Sequence, residues 1–241
     1  MRIVTLENSG RMYTSQVYLV LGGTSRLEDV NTLVDVGQDP AVLESIARAP
    51  TGVGKWAVEQ VVLTHCHSDH CALLPQIREA FHPKVFAYSP NIEGVDGLLR
   101  DGETIRMGDQ AFEVIHTPGH SSDSICLYNQ ARGVLFAGDT PLLITSPAGT
   151  YEPDFLAALE KLCSRDVREI YFGHGAPLME RCNQRLRESQ RMATGSRSAS
   201  EWNRGSRSSR QWRRNRRCNR STKEQSPWQD SGSRLTPAVR P

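Results

Sequence analysis

The chain has 241 residues, enough to bury the core of one large domain or of two small ones, and its charge is unevenly distributed. Residues 1–190 contain 16 Lys and Arg against 24 Asp and Glu, and residues 191–241 contain 13 against 3, so an acidic body of net charge −8 precedes a basic tail of net charge +10. The first residues lack the basic and apolar regions of a secretory signal, and no run of about 18 apolar residues predicts a membrane span. The six cysteines show no paired spacing. These features predict a cytoplasmic protein with reduced thiols and exclude a membrane-spanning one.

Strands are predicted where apolar and β-branched runs end at glycine or polar residues, and helices where apolar residues recur every three or four positions. In chain order, the first half is predicted to contain strands at 17–21 and 32–36, a helix at 40–49, a strand at 60–64, and a helix after His70 marked by Leu73, Leu74, Ile77 and Phe81. Strands are then predicted at 85–88, 104–107, 112–117, 124–128 and 134–137. A helix at 154–163, a strand at 169–172 and a helix at 178–190 complete the prediction. Two sets of strands flanked by helices indicate a layered sandwich of sheets covered by helices. Periodicity alone leaves the order of the strands open.

The tail differs in kind from the body, so we predict a domain at 1–191 and a basic low-complexity segment at 192–241. The tail is rich in Ser, Arg, Asn and Gln, has almost no Ile, Leu, Val or Phe, and shows no periodicity. Such a composition cannot bury enough apolar surface to offset the entropy of ordering, which predicts disorder. Two alternatives stay open: an arm for nucleic acid, since Trp212 lies beside Arg213 and Arg214, and an out-of-frame end of the gene. We assign no function to this segment.

A cluster of metal-ligand residues directly follows the strand predicted at 60–64. It reads His-x-His-x-Asp-His and consists of His65, His67, Asp69 and His70. On extended chain, side chains two residues apart point the same way, so His65 and His67 can chelate one ion. A turn after them brings Asp69 and His70 toward a second ion. Imidazole and carboxylate are ligands for Zn²⁺, Mn²⁺ or Fe²⁺, and such a dense cluster is rarely explained by packing.

Three later loops each add one candidate ligand immediately after a predicted strand. The residues are His120 in Thr-Pro-Gly-His, Asp139 in Gly-Asp-Thr, and His174 in Gly-His-Gly. Loops at the ends of strands are where sites are commonly assembled on a rigid scaffold. The neighbouring glycines permit tight turns and close approach of the backbone. Together with the first cluster, these residues predict one shared metal site.

In this order, the motifs HxHxDH, TPGH, AGDT and GHG resemble those of the metallo-β-lactamase superfamily, and the resemblance covers about residues 1–190. The segment from Leu33 to Gly37 is similar to the early aspartate motif of that family. The resemblance implies an α/β fold, the four-layer αββα sandwich. It also implies metal roles: His65, His67 and His120 hold one ion, Asp69, His70 and His174 hold the other, and Asp139 bridges both. Asp35 would not bind metal itself but would orient the ligands by contacting them.

This resemblance implies a dinuclear metal-dependent hydrolase acting on a small molecule. Two neighbouring ions lower the pKa of a shared water, and the metal-bridging hydroxide cleaves an ester-like bond such as a lactone or thioester. Asp69 and Asp139 are the catalytic candidates, because Asp69 is placed to orient the hydroxide and accept its proton. The cofactors implied are two divalent ions, with zinc favoured over manganese or iron. The membrane and nucleic acids are not expected partners, and an oligomer stays open.

Single residues of the ligand set differ between the branches of this family and favour some branches over others. True β-lactamases usually have Cys or Ser in place of Asp139, and flavodiiron proteins typically have Glu in place of His67, so neither is favoured. A persulfide dioxygenase with one iron is the main alternative, followed by a phosphodiesterase or nuclease and by a non-enzymatic binding protein.

Cys71 stands where many relatives have a Gly-Gly pair, and an inert buried thiol is its favoured role. The chain after His174 is short for holding glutathione, and Tyr151 is a candidate substrate contact for which packing is favoured.

Overall fold

The computed structural model describes residues 1–24, 26–52, 54–146 and 150–195, and within these ranges the strands form two sheets. The first sheet has six strands in chain order: β1 (Arg2–Thr5), β2 (Tyr18–Leu21), β3 (Thr32–Val34), β4 (Gln60–Val62), β5 (Lys84–Ala87) and β6 (Gly97–Leu98). β1, β2 and β3 pair antiparallel, and β3 to β6 pair parallel. The parallel strands therefore place their carboxyl ends at one edge of the sheet.

The second sheet has five strands, ordered β11-β10-β9-β8-β7. The strands are β7 (Thr104–Met107), β8 (Gln110–His116), β9 (Ile125–Asn129), β10 (Val134–Gly138) and β11 (Glu169–Phe172). β7 to β10 form an antiparallel meander, and β11 pairs parallel with β10. The helices are α1 (Ala41–Arg48), α2 (Ser68–Cys71), α3 (Leu74–Phe81), α4 (Pro153–Cys163) and α5 (Cys182–Ala193).

Three apolar layers hold these elements together. The first lies between the first sheet and helices α1 and α3, and includes Ile46 and Ile77. The second lies between the two sheets and includes Val62 and Phe136. The third lies between the second sheet and helices α4 and α5, and includes Leu159. The order helix, sheet, sheet, helix confirms the predicted α/β class and the four-layer αββα sandwich.

The uninterrupted apolar runs of the central strands follow from this layering. In β2, Leu19 and Leu21 belong to the layer under the helices, whereas Tyr18 and Val20 belong to the layer between the sheets. Successive side chains point to opposite faces of a strand, so a strand covered on both sides is apolar at every position. Each such Leu or Val contributes about 1.5–3 kcal/mol when fully buried.

The structure differs from the sequence-based prediction at the edges of the elements. β1 and β6, both at the edges of the first sheet, were not predicted. The last helix begins at Cys182 instead of 178, because Leu178 exchanges two backbone hydrogen bonds with Ile170 and Arg181 turns the chain at a φ of 58°. α5 ends at Ala193, two residues beyond the predicted domain boundary. From residue 196 onward, the predicted basic tail lies outside the described residues.

Within the described ranges, no helix combines the length and apolarity needed to cross a membrane.

Candidate metal centre

The seven predicted ligands lie on loops and on the short helix α2 at one edge of the sandwich, where strands of both sheets end. The chain leaves β4 at Val62 and enters the His-x-His-x-Asp-His segment, whose Asp69 and His70 lie on α2. Asp139 is the first residue after β10, and His174 follows β11 by two residues. His120 lies four residues beyond the end of β8. The two sheets therefore contribute to one shared site.

The structure brings these side chains together as two groups of potential metal ligands. One group contains His65, His67 and His120, and the ligand atoms within it all lie within 4.8 Å of one another. The second contains Asp69, His70, Asp139 and His174, again with every ligand atom within 4.8 Å of the others. This division matches the division that the family resemblance implies.

Asp139 lies between the two groups. Its Oδ2 is 3.5 Å from Nε2 of His120 in the first group and 3.4 Å from Nε2 of His174 in the second. Its Oδ1 is 3.3 Å from Nε2 of His70. One carboxylate thus contacts imidazoles of both groups, which is the position that a bridging ligand requires.

A buried imidazole nitrogen shows that the site fits divalent ions. His65 is buried, and its Nε2 atom has no hydrogen-bond partner among the described residues, whereas Nε2 of the buried His70 faces the Asp139 carboxylate at 3.3 Å. Leaving a buried polar atom unpaired costs about 1–3 kcal/mol, so such atoms call for a further partner. The Thr64 hydroxyl lies 3.1 Å from His65 Nδ1, which engages that nitrogen and leaves Nε2 as the ligand atom. Imidazole nitrogens with carboxylate oxygens are a donor set suited to zinc, manganese or iron.

Asp35 supports the His-x-His-x-Asp-His segment through contacts with Thr64 and His70. Its Oδ1 accepts the Thr64 N–H at 2.8 Å, and its Oδ2 accepts the Thr64 hydroxyl at 2.8 Å. The same Oδ2 is 2.8 Å from Nδ1 of His70, which directs Nε2 of that ring toward the site. Asp35 has a φ of 58°, in the left-handed region that Asp and Asn tolerate better than most residues. The predicted orienting role of Asp35 is thus matched by direct contacts.

Replacing Asp35 by Asn tests this support, because Asn tolerates the same backbone conformation and removes only the charge. We expect the affinity for metal to fall about 10- to 100-fold, as is typical when an outer partner of a histidine ligand is lost. The measurement is a competition titration against a chromophoric chelator. Asp29→Asn is the control, since Asp29 is equally buried and accepts the Arg26 N–H away from the site. Equal metal affinity in the Asp35 variant and the wild type would contradict the role.

The electrostatics of the metal-free site favour a charged His70 beside anionic partners. Burial lowers the pKa of His70, but the Asp35 and Asp139 carboxylates outweigh it and raise that pKa to about 10. Burial raises the pKa of Asp139, but His70 and the other histidines lower it to about 2. Burial lowers the pKa of His65 to about 4, so His65 is neutral and available as a ligand.

Metal uptake is therefore expected to release a proton at neutral pH. His70 is protonated below a pKa of about 10 in the metal-free protein, whereas a metal ligand must be neutral. The apparent affinity for metal should rise with pH, by about tenfold per unit for each proton released, and should be lost as the pH falls. Calorimetric titration in Tris and in PIPES, which differ in ionisation enthalpy, counts the protons. Identical observed enthalpies in the two buffers would rule this coupling out.

Tyr13 also lies in the site, and the motif analysis missed it. Its ring stacks on His174 with centroids 4.7 Å apart, and its hydroxyl is 3.1 Å from His174 Nε2. The loop before β2 holds it there, because the N–H groups of Ser15 and Gln16 donate to the carbonyl oxygens of Asp69 and Gly173. The Tyr13 side chain is nevertheless 70% exposed. No sequence pattern identifies a single tyrosine in a polar loop, so only the folded chain shows it.

Two other residues singled out in the sequence have packing contacts. Cys71 is partly buried against the first apolar layer, its thiol donates to the carbonyl oxygen of Cys66, and burial raises its pKa to about 11. This environment agrees with an inert thiol. Tyr151 packs against Phe155 of α4 with centroids 5.5 Å apart, which agrees with the packing role.

Comparison with known proteins gives the same family as the motifs. The family model described as metallo-beta-lactamase superfamily matches residues 13–174. The hydroxyacylglutathione hydrolase of Chelativorans sp. (strain BNC1) is 30% identical over 178 residues, which cover 71% of this chain and 67% of that protein. The atrochrysone carboxyl ACP thioesterase of Aspergillus fumigatus is 27% identical over 188 residues, which cover 75% of this chain and 57% of that protein. The chain thus spans between about half and two thirds of the length of these curated relatives.

Solved structures with the same fold cover most of the chain. ETHE1 from Myxococcus xanthus aligns with a TM-score of 0.61 at 20% identity, covering 80% of this chain and 85% of that one. A metallo-beta-lactamase family protein from Thermus thermophilus aligns with a TM-score of 0.59 at 22% identity, covering 80% and 79%. At such identities the likeness concerns the fold. With the family model matching 13–174, the chain belongs to the metallo-beta-lactamase superfamily.

Proposed function

We propose that this chain is a dinuclear metal-dependent hydrolase that cleaves an ester-like bond in a small molecule, with a thioester or lactone as substrate. The observation that carries the proposal is the convergence of seven ligand residues as two groups around Asp139. Relatives named as a hydrolase and as a thioesterase support the same class of reaction. We place the activity in residues 1–191 and give the tail at 192–241 no part in it.

The roles of the residues follow from their positions. His65, His67 and His120 would hold one divalent ion, Asp69, His70 and His174 the other, and Asp139 both. When bound, such ions polarise the oxygen of the scissile carbonyl and make a water acidic near neutral pH. Asp69 Oδ2 lies 3.0 Å from Nε2 of His174 and is the carboxylate oxygen we assign to orienting that water and accepting its proton. We propose zinc as the native metal, with manganese or iron as alternatives.

The first experiment combines metal analysis with a substrate panel. Protein purified without added metal is analysed by plasma mass spectrometry and then assayed with thioesters, lactones and phosphodiesters. We expect about two divalent ions per chain and turnover of a thioester or lactone that a chelator abolishes. One iron per chain with oxygen consumption would replace the proposal by a persulfide dioxygenase. Turnover of phosphodiesters alone would replace it by a phosphodiesterase.

Tyr13→Phe tests whether the missed tyrosine contacts the substrate. The variant keeps the ring stacked on His174 and removes only the hydroxyl that lies 3.1 Å from its Nε2. We expect kcat/KM to fall about threefold to tenfold, the value of one hydrogen bond, with an unchanged metal content. Tyr151→Phe is the matched control, since its ring packs against Phe155. Loss of metal in the Tyr13 variant would instead assign Tyr13 to holding the ions.

A further inference from the structure

A cleft of about 390 Å³ opens directly beside the metal centre. His120, Asp139 and His174 line it at the metal centre. Most of the other lining residues are apolar and form what we call the apolar wall, which consists of Pro141, Leu142, Leu143, Phe172 and Ala176. Among the described residues that line the cleft, none is Lys or Arg. The cleft therefore combines a reactive polar end with a wall that offers no partner to an anion.

Helix α5 holds the part of the apolar wall that contains Leu142 and Leu143. The Ser189 hydroxyl on α5 donates to the carbonyl oxygen of Leu142 at 2.7 Å and accepts the Ile144 N–H at 2.9 Å. Leu142 is buried in the third apolar layer. Leu143, between these two anchors, lines the cleft with 48% of its surface exposed. An apolar side chain fixed in this way beside a reactive centre gains burial when an apolar ligand covers it.

We propose that this cleft binds the acyl half of the substrate and that the acyl half is an apolar chain. The inference rests on the proposed hydrolase, because it places the scissile carbonyl at His120, Asp139 and His174. The alkyl chain then lies along Pro141, Leu143 and Phe172, and the thiol or alcohol half extends into solvent. A charged acyl group is disfavoured, because burying an unpaired charge is costly and the wall has no cationic partner.

The test is a series of thioesters that share one small neutral thiol, N-acetylcysteamine, and carry acyl chains of two, four, six or eight carbons. We expect kcat/KM to rise about twofold to threefold for each CH₂ that enters this half-open cleft. Lengthening the thiol half by the same number of carbons should have little effect. Leu143→Lys should lower the ratio of the eight-carbon to the two-carbon rate about tenfold, whereas Leu27→Lys, at a leucine that is 76% exposed, should leave the ratio unchanged.

A binding measurement separates this inference from the proposed function. Thioether analogues of the same series cannot be hydrolysed, and their affinity for the metal-loaded protein is measured by calorimetry. Affinity that grows with chain length and is weakened by Leu143→Lys supports the cleft, even when no thioester is turned over and the hydrolase proposal fails. Turnover and binding that are independent of acyl length, or a preference for charged acyl chains that Leu143→Lys does not alter, would overturn the inference and leave the hydrolase standing.

Discussion

Replacing Asp139 by alanine is expected to abolish activity and to reduce the metal content of the protein. The carboxylate lies 3.3–3.5 Å from Nε2 of His70, His120 and His174, so its loss removes the one side chain that we propose both ions share. Removing one electrostatic stabiliser from an active site costs about 10²–10³-fold, and we expect at least that loss in kcat/KM. Metal per chain, measured by plasma mass spectrometry, should fall from about two ions to one or fewer.

The control for Asp139 is an aspartate outside the site. Asp166 is exposed and pairs with Arg168 at 2.7 Å, so Asp166→Ala should keep both the metal and the activity. Circular dichroism of the Asp139 variant shows whether it remains folded. A folded Asp139→Ala protein that retains two ions and full activity would refute the bridging role.

Replacing Gly173 by alanine is expected to damage the site through lack of space. A Cβ at this position would lie 2.1 Å from Oδ1 of Asp139 and 2.6 Å from Cε1 of His70, so the two ligands must move apart to admit it. The backbone at Gly173 is outside the left-handed region, so the residue is small because of its neighbours. Misplacement by about 1 Å costs on the order of 10²-fold in rate, and we expect a loss of that size together with weaker metal binding.

Gly175, two residues along, provides a control, because there the backbone conformation, and not a lack of space, favours glycine. Its φ is 85°, and a Cβ there meets no atom within 4 Å. Gly175→Ala should therefore lower the free energy of unfolding by about 1–2 kcal/mol through backbone strain and leave metal binding intact. Thermal unfolding and chelator competition measure the two effects separately. The argument fails if the Gly173 variant binds metal like the wild type or if the Gly175 variant loses it.

Strands and helices were predictable wherever apolar residues are continuous or recur at a fixed period. The buried central strands and α4 were found because layers on both sides demand continuous or periodic apolar residues. The edge strands β1 and β6 were missed, since pairing at an edge depends on the neighbouring strand more than on the residue pattern. The start of α5 was misplaced because Leu178 pairs with Ile170, a contact between two segments that periodicity does not reveal.

By itself, the sequence predicted the candidate ligands and the loops that carry them and indicated the family, because His and Asp are common metal ligands and glycines leave room beside them. Tertiary structure decided how these residues combine. It places Asp139 between both ligand groups, stacks Tyr13 on His174, and builds the apolar wall that includes Leu143 beside the site. These contacts join segments far apart in the chain. Their distances depend on how two sheets pack and where each strand ends, which no local pattern of residues specifies.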